Sequence, residues 1–189
     1  MKIISGKFKN RNIYMPAGSR PIQHVARKAL FDTIGQDMEG VAFLDLFAGS
    51  GSVGLEAISR GAPQCVFVEN NEACMQVIRE NLALLHLDNT SGLHGPYPVL
   101  GIDGFAAIKY LVKIKKKFDV VFADPPYGRE MAKKALKLLN AYDIFNPAFI
   151  VIIKHGIREI LPEASGRFLA FRARKFGSSC LTFYQDSNK

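Results

Sequence analysis

Val41-Ala42-Phe43-Leu44-Asp45-Leu46-Phe47-Ala48-Gly49-Ser50-Gly51-Ser52-Val53-Gly54 decides the fold. The first seven residues form a mostly apolar run, the pattern of a strand covered on both faces. Gly49, Gly51 and Gly54 follow in G-x-G-x-x-G spacing. A helical pattern through Val53, Leu55, Ala57 and Ile58 then stops at Gly61. Strand, glycine turn and helix in that order open a nucleoside-binding α/β unit, because glycines allow a tight turn and let a ligand approach the backbone closely.

The same alternation continues downstream. Strands are expected at 65–68, 99–102, 118–123 and 149–153, and helices at 71–85, 104–112 and 130–139, with a loop over 86–97. Two late apolar runs, 168–171 and 179–184, have no long helix between them and read as an antiparallel hairpin at the sheet edge. Upstream, 3–5 and 12–15 read as a hairpin around Gly6, and 23–34 as a helix ended by Gly35. The fold class is α/β, a doubly wound, mostly parallel sheet with an antiparallel edge. Such sheets bind ligands at the carboxyl ends of their strands.

The chain of 189 residues is 48% hydrophobic and 22% charged, which excludes a mainly disordered protein. No apolar run is long enough to span a bilayer, and the N-terminus lacks the apolar core of a secretory signal. Cys65, Cys74 and Cys180 are scattered and odd in number, with no zinc spacing, as in reduced cytoplasmic proteins. His86, His94 and His155 also lack metal-type spacing, so no metal is expected. The net charge is +8 and unevenly spread. Residues 1–31 hold seven basic residues (Lys2, Lys7, Lys9, Arg11, Arg20, Arg27, Lys28) and no acid, leaving 18 basic and 17 acidic residues in the remainder. A basic segment on a near-neutral body suits a phosphate backbone, or simply a solvated surface. It divides the chain into an arm, 1–36, and a body, 37–189. His24 lies in the arm, as a phosphate contact or a plain helix residue.

Two acids qualify the glycine loop. Glu69, at the end of the second strand, is placed for a ribose diol, and Asp103, just past the third, for an adenine amine. A dehydrogenase shares the glycines. Asp45, however, would repel a pyrophosphate, whereas it suits the cationic amino-acid end of S-adenosylmethionine. Asp124-Pro125-Pro126-Tyr127 follows the fourth strand at the same edge. Two prolines fix φ and carry no N–H, so they present carbonyls without competing donors. An exocyclic amine of a nucleobase is a poor nucleophile because its lone pair is delocalised. The Asp124 carboxylate and Pro125 carbonyl can hold its hydrogens and aim the lone pair, and Tyr127 offers a face on which an extruded base stacks.

Asp-x-Phe-Ala-Gly-Ser-Gly, then Val-Glu-Asn, then Asp-Pro-Pro-Tyr together resemble the class I S-adenosylmethionine-dependent amino methyltransferases. Ile3-Ile-Ser-Gly-Lys-Phe-Lys9, Arg20-Pro21, Ala29-Leu30-Phe31 and Lys175-Phe176-Gly177 are similar to the bacterial 16S ribosomal RNA guanine-N2 methyltransferase family of the small-subunit type. The resemblance spans almost the whole chain. It implies a seven-stranded methyltransferase sheet with an N-terminal RNA-binding hairpin and helix. Its implied reaction moves a methyl group to N2 of one guanine in 16S ribosomal RNA, within a small subunit or an assembly intermediate. Cofactor residues would be Asp45, Phe47, Ala48, Gly49, Gly51, Glu69, Asn70, Asp103 and Asp124. Catalysis would fall to Asp124, Pro125, Pro126 and Tyr127, and RNA binding to Lys7, Lys9, Arg11, Arg20, His24 and Arg27. Two departures stand out: Ile22-Gln23-His24-Val25 replaces the family's Thr-x-Asp-Arg, and Ile153-Lys154 replaces Val-Glu. A DNA adenine-N6 methyltransferase and a non-catalytic RNA-binding protein on a methyltransferase fold are the alternatives.

Overall fold

In a computed structural model, residues 1–18, 22–87, 95–128 and 130–187 are described. Arg20, Pro21 and His94 lie outside them. The strands are β1 (Ala42–Leu46), β2 (Gln64–Val68), β3 (Val99–Leu100), β4 (Phe118–Ala123), β5 (Phe145–Gly156), β6 (Ala164–Ser165), β7 (Phe168–Phe176) and β8 (Ser179–Asp186). The helices are α1 (His24–Ile34), α2 (Ser52–Ser59), α3 (Glu72–Leu84), α4 (Gly104–Lys113) and α5 (Met131–Ala141). All eight strands form one sheet in the order β3-β2-β1-β4-β5-β8-β7-β6. β3 through β5 are parallel, and β8, β7 and β6 add on antiparallel. The chain runs outward from β1 through β2 to β3, then returns to the other side of β1 with β4. The topological switch point therefore lies between β1 and β4, where an open α/β sheet leaves a crevice.

The sheet is the expected α/β sheet with an eighth, two-residue strand at its rim. Ala164–Ser165 is too short to show an alternating pattern. β5 begins earlier than expected because it contains an irregularity. Phe118 pairs with Phe145 and Val120 with Ile150, so the register shifts around Asn146-Pro147-Ala148. A proline cannot donate to a ladder and is tolerated at such a bulge.

Each face of the sheet carries its own apolar layer. Phe43, Leu55, Phe67, Ile78 and Phe122 lie in one; Leu44, Val68, Ile108, Leu136 and Val151 in the other. The arm has no separate core, since Ile3, Ile13, Ala26, Leu30 and Phe31 belong to the first layer.

The expected N-terminal hairpin reduces to one antiparallel bridge, Lys2 with Asn12, and a few flanking bonds. The amides of Ile3, Asn10 and Ile13 still pair across it, while others go to α2. Ile4 and Ser5 donate to the Glu56 carboxylate at 2.8 and 3.0 Å, Lys7 to the Ser59 carbonyl at 2.6 Å, and Phe8 to Ser59 Oγ at 3.0 Å. Only glycine can occupy position 6: a Cβ there would sit 1.7 Å from the Ser59 carbonyl oxygen, and φ is +79°.

Glu56 is fully buried and binds two buried arginines. Arg60 Nε and Nη2 each approach Oε1 at 2.9 Å, and Arg27 Nε lies 3.7 Å from Oε2. Arg27 also donates to the Lys2 carbonyl and, at 3.4 Å, to that of Ser52. Burial pulls the Arg27 guanidinium below its ordinary pKa, and Glu56 acts the other way. Arg27 therefore does not face RNA, as the resemblance implied; it is wholly enclosed and ties the arm to α2. Periodicity alone would have placed it on the inner side of α1, among Ala26, Leu30 and Phe31.

Removing one partner from a buried charge cluster costs more than the cluster contributes, because the remaining charges stay buried. Glu56→Ala is expected to destabilise the protein by about 3–5 kcal/mol in urea unfolding. The Ile4 and Ser5 amides should lose hydrogen-exchange protection with it. Protection unchanged from the parent would show that Glu56 does not hold the arm.

Candidate active site

The glycine turn and the Asp-Pro-Pro-Tyr corner meet at the switch point. Leu46 pairs with Ala123 at the ends of β1 and β4, and the Asp124 amide donates to the Leu46 carbonyl at 3.2 Å. Phe47 leaves β1 with φ +64°, a left-handed conformation unusual for an aromatic residue. Its ring meets Phe105 edge-on at 5.1 Å. The Ala48 amide donates to the Val68 carbonyl at 2.9 Å, and Gly51 occupies the N-cap of α2 with φ +73°. Gly54 allows α2 to lie on β2: a Cβ there would be 2.4 Å from the Phe67 ring and 2.7 Å from Cys65 Sγ.

Asp45 lies beneath this turn, 1% exposed. Its Oδ2 accepts from the Gly54 amide at 2.8 Å, and its Oδ1 is buried without a hydrogen-bond partner. Burial pushes its pKa up to about 8. The Gly54 amide opposes that shift, and the charges of Asp124 and Glu69 add to it. A buried carboxylate with one unused oxygen is costly unless a donor or cation completes it.

Glu69 ends β2. Its Oε2 accepts from the Gly49 amide at 2.8 Å and its Oε1 from the Asn70 and Asn71 amides, both at 2.9 Å. The carboxylate thus braces the glycine turn, and acceptor capacity remains, since two oxygens offer about four lone-pair sites. Asn70 is exposed beside it. Asp103 caps α4, with Oδ1 accepting from Phe105 and Ala106 amides at 2.9 and 3.0 Å, and is otherwise exposed. Ala48, Gly49 and Phe47 line a cavity of about 70 Å³ whose far wall includes Met15, Ile22 and Asp124.

A second cavity, about 320 Å³, opens on the other side of Asp124. Pro125, Pro126, Tyr127, Lys154 and Gln23 line it. Tyr127 is 54% exposed, so its ring is available to a ligand. A larger concavity of about 700 Å³ lies beyond Tyr127 and touches neither the glycine turn nor Asp124. Size alone would point there; the convergent polar groups are at Asp124.

Lys154, noticed in the sequence as a departure only, enters the centre of the site. Its ammonium donates to Asp124 Oδ1 and Oδ2 at 2.9 and 2.8 Å and to the Tyr127 hydroxyl at 2.6 Å. Parallel register explains the meeting: Ile153 pairs with Ala123, so the next residue on each strand stands side by side. Burial raises the Asp124 carboxyl above the ordinary range, and the Lys154 ammonium pulls it back only in part. Burial also works against the Lys154 charge. Asp124, then the Tyr127 hydroxyl, outweigh that and hold the ammonium above its usual value.

Of the arm residues, Lys7, Lys9, Arg11 and His24 are exposed, and His24 follows Gln23 on the rim of the second cavity. Arg20 lies outside the described residues. His155 is buried, its Nε2 2.8 Å from Thr182 Oγ1. Cys65 is buried in the core, where burial raises its thiol well above the ordinary range. Among the described residues no three His, Cys, Asp or Glu side chains gather as a metal site, and no helix is long and apolar enough to cross a membrane.

The model of the family described as conserved hypothetical protein 95 matches residues 1–185. YlbH of Bacillus subtilis (strain 168) is 30% identical over 187 residues, covering 98% of each chain. Ribosomal RNA small subunit methyltransferase D of Escherichia coli (strain K12) is 26% identical over 187 residues, covering 98% of this chain and 89% of that one. The solved structure of yhhF from Escherichia coli superposes with a TM-score of 0.83 at 25% identity, covering 100% of this chain and 99% of that one. With one sheet, one switch-point site and near end-to-end matches, the chain belongs to the family of conserved hypothetical protein 95 and is similar over nearly its whole length to a bacterial small-subunit ribosomal RNA methyltransferase.

Proposed function

We propose that the protein transfers a methyl group from S-adenosylmethionine to the exocyclic N2 amine of a guanine in 16S ribosomal RNA, in the cytoplasm, within a small subunit or an assembly intermediate. The observation that carries this reading is the position of Asp124, which forms a wall shared by the glycine-turn cavity and the proline-tyrosine cavity. A donor bound in one and an amine bound in the other would meet at that side chain. The relatives named for ribosomal RNA methylation support the RNA class.

The residues fit the cofactor. Asp45 Oδ1, buried and unpartnered, suits a cationic amino group. Glu69 keeps acceptor capacity for a ribose hydroxyl, and the exposed Asp103 can meet an adenine amine. Phe47, Ala48 and Gly49 line the cavity, and Gly51 and Asn70 belong to the turns that bound it. Bound there, S-adenosylmethionine supplies an electrophilic methyl whose leaving group is a neutral sulfide, so no general acid is needed.

The protein's task is to orient the amine. Asp124 and the Pro125 carbonyl accept its hydrogens and leave the lone pair directed at the methyl. Tyr127 and Pro126 hold the base out of its stack. The proton lost from nitrogen passes to Asp124 or to water. Lys7, Lys9, Arg11, Arg20 and His24 engage phosphates around the target.

Purified protein with labelled S-adenosylmethionine, offered small subunits, naked 16S RNA and DNA in parallel, should label N2 of one guanine in the ribosomal substrate. Label in adenine N6 of DNA, or in nothing, would sink the proposal. Asp124→Ala should lower kcat by two orders of magnitude or more while both ligands still bind, since orientation of the amine is realised on the way to the transition state.

Glu69→Ala should weaken the cofactor by about 1.5–3 kcal/mol in calorimetry; unchanged affinity would remove Glu69 from the ribose. Reversing Lys7, Lys9 and Arg11 to glutamate should flatten the log–log salt dependence of RNA binding by roughly 2–3. Cofactor affinity should stay level. An unaltered slope would take the arm off the RNA.

A further inference from the structure

The Asp124 carboxylate cannot do its proposed work unaided. It is largely enclosed, at 23% side-chain exposure, and burial favours its neutral form. A protonated carboxyl presents an O–H, and that oxygen no longer accepts from an amine hydrogen in the same way. Something must hold the group ionised without consuming it.

We infer that Lys154 is a positioning residue that keeps Asp124 ionised and locks Asp124 and Tyr127 into one rigid unit, acting through its ammonium contacts at 2.9, 2.8 and 2.6 Å. The inference rests on the reading of Asp124 as the group that orients the target amine. The ammonium has three N–H donors, and all three are assigned: one to each Asp124 oxygen and one to the Tyr127 hydroxyl. Each carboxylate oxygen has about two acceptor sites and gives one to Lys154, so each keeps one for the base. Lys154 therefore polarises the carboxylate without blocking it. The Tyr127 hydroxyl accepts from Lys154 and keeps its own proton to donate. The cation also stands 4.8 Å from the Tyr127 ring centroid, which ties the stacking face to the acceptor.

Lys154 is well held for this task. It is 10% exposed in its side chain, and its backbone is paired with Leu181 of β8. Its neighbour His155 is engaged with Thr182. The other charged or titratable groups facing Asp124 are Asp45 from β1, itself pushed up to about 8, and Tyr127 from the corner. Glu69 from β2 acts on the cluster through Asp45. From α1 the cavity receives Gln23, which does not titrate, with His24 next to it; from β8 it receives Ser179. Among these groups Lys154 is the cation in contact with the carboxylate.

The pH dependence has a definite sign. Removing the cation raises the pKa of Asp124, so the form that accepts from the amine is lost at a higher pH. In single-turnover methyl transfer to small subunits, Lys154→Met and Lys154→Gln should move the acid limb of kcat upward by about 1–3 pH units. Activity lost on that limb should recover as the pH is raised. Lys154→Gln separates charge from hydrogen bonding, and Lys154→Arg, which keeps the charge, should hold the limb within roughly half a unit of the parent. A loss of equal size at every pH, or an unmoved acid limb, overturns the inference.

A measurement on the unsubstituted protein needs neither a variant that folds nor a substrate. The Asp124 carboxyl carbon and the Lys154 ammonium nitrogen should shift together through one titration step in NMR spectra. Independent titration overturns the coupling. If the protein methylates no nucleic acid at all, the functional reading fails, while these spectra still decide whether Lys154 sets the charge of Asp124.

Discussion

Parallel pairing of β1 with β4 ends at Leu46 and Ala123, and the site depends on that one register. Both strands stop at the same level, so the glycine turn leaving β1 and the proline corner leaving β4 project into the same crevice. The Asp124 amide bonded to the Leu46 carbonyl extends the pairing by one step and draws the corner against the turn. A slip of one residue would exchange inward and outward side chains and put Asp45 or Asp124 on the wrong face. The apolar layers on both faces make such a slip expensive, because Phe43 and Leu44 on β1, and Val121 and Phe122 on β4, are all buried.

Three buried or half-buried acids show how the fold sorts structural from chemical charge. Glu56 has its oxygens filled by two backbone amides and two arginines, and it holds the arm to α2. Asp45 has one oxygen committed to Gly54 and one idle. Asp124 has both oxygens engaged by a single cation that leaves room for more. The first arrangement is complete without a ligand. The second is incomplete, and the third keeps acceptor sites open. That gradient, more than cavity size, points to Asp45 and Asp124, since the concavity of about 700 Å³ contains neither of them.

Much of the fold was legible because its signals are local. A continuous apolar run followed by glycines marks β1 and its turn, and β4 flows directly into the two prolines. Strand ends then follow from topology, which brought Glu69, Asp103 and Asp124 to one edge as expected. What escaped depended on contacts distant in sequence. The arm's hairpin is cut short because Glu56, some fifty residues away, takes the Ile4 and Ser5 amides. Arg27 belongs to a basic run along the chain, and only its angular position on α1 sets it apart from that surface. Lys154 was visible only as an odd residue. Its partnership with Asp124 becomes readable once β4 and β5 are known to be neighbours in register, a fact that no single strand carries.

The arm and the site are mechanically continuous, and this bears on how substrate binding could be coupled to chemistry. Met15 and Ile22 flank the stretch that contains Arg20 and help wall the glycine-turn cavity, while Gln23, at the N-cap of α1, walls the cavity of Tyr127. The exposed Lys7, Lys9 and Arg11 sit on the turn that Glu56 and Ser59 pin to α2, and α2 is the helix whose first turn follows the glycine loop. Phosphate contacts on the arm would therefore bear on the element that shapes the cofactor wall, through hydrogen bonds and not through a flexible tether. A basic extension hinged on a linker would bring RNA near the site without ordering it. An arm that shares its core with the sheet would, on the proposed reading, deliver the RNA and fix the walls of both cavities with the same set of contacts.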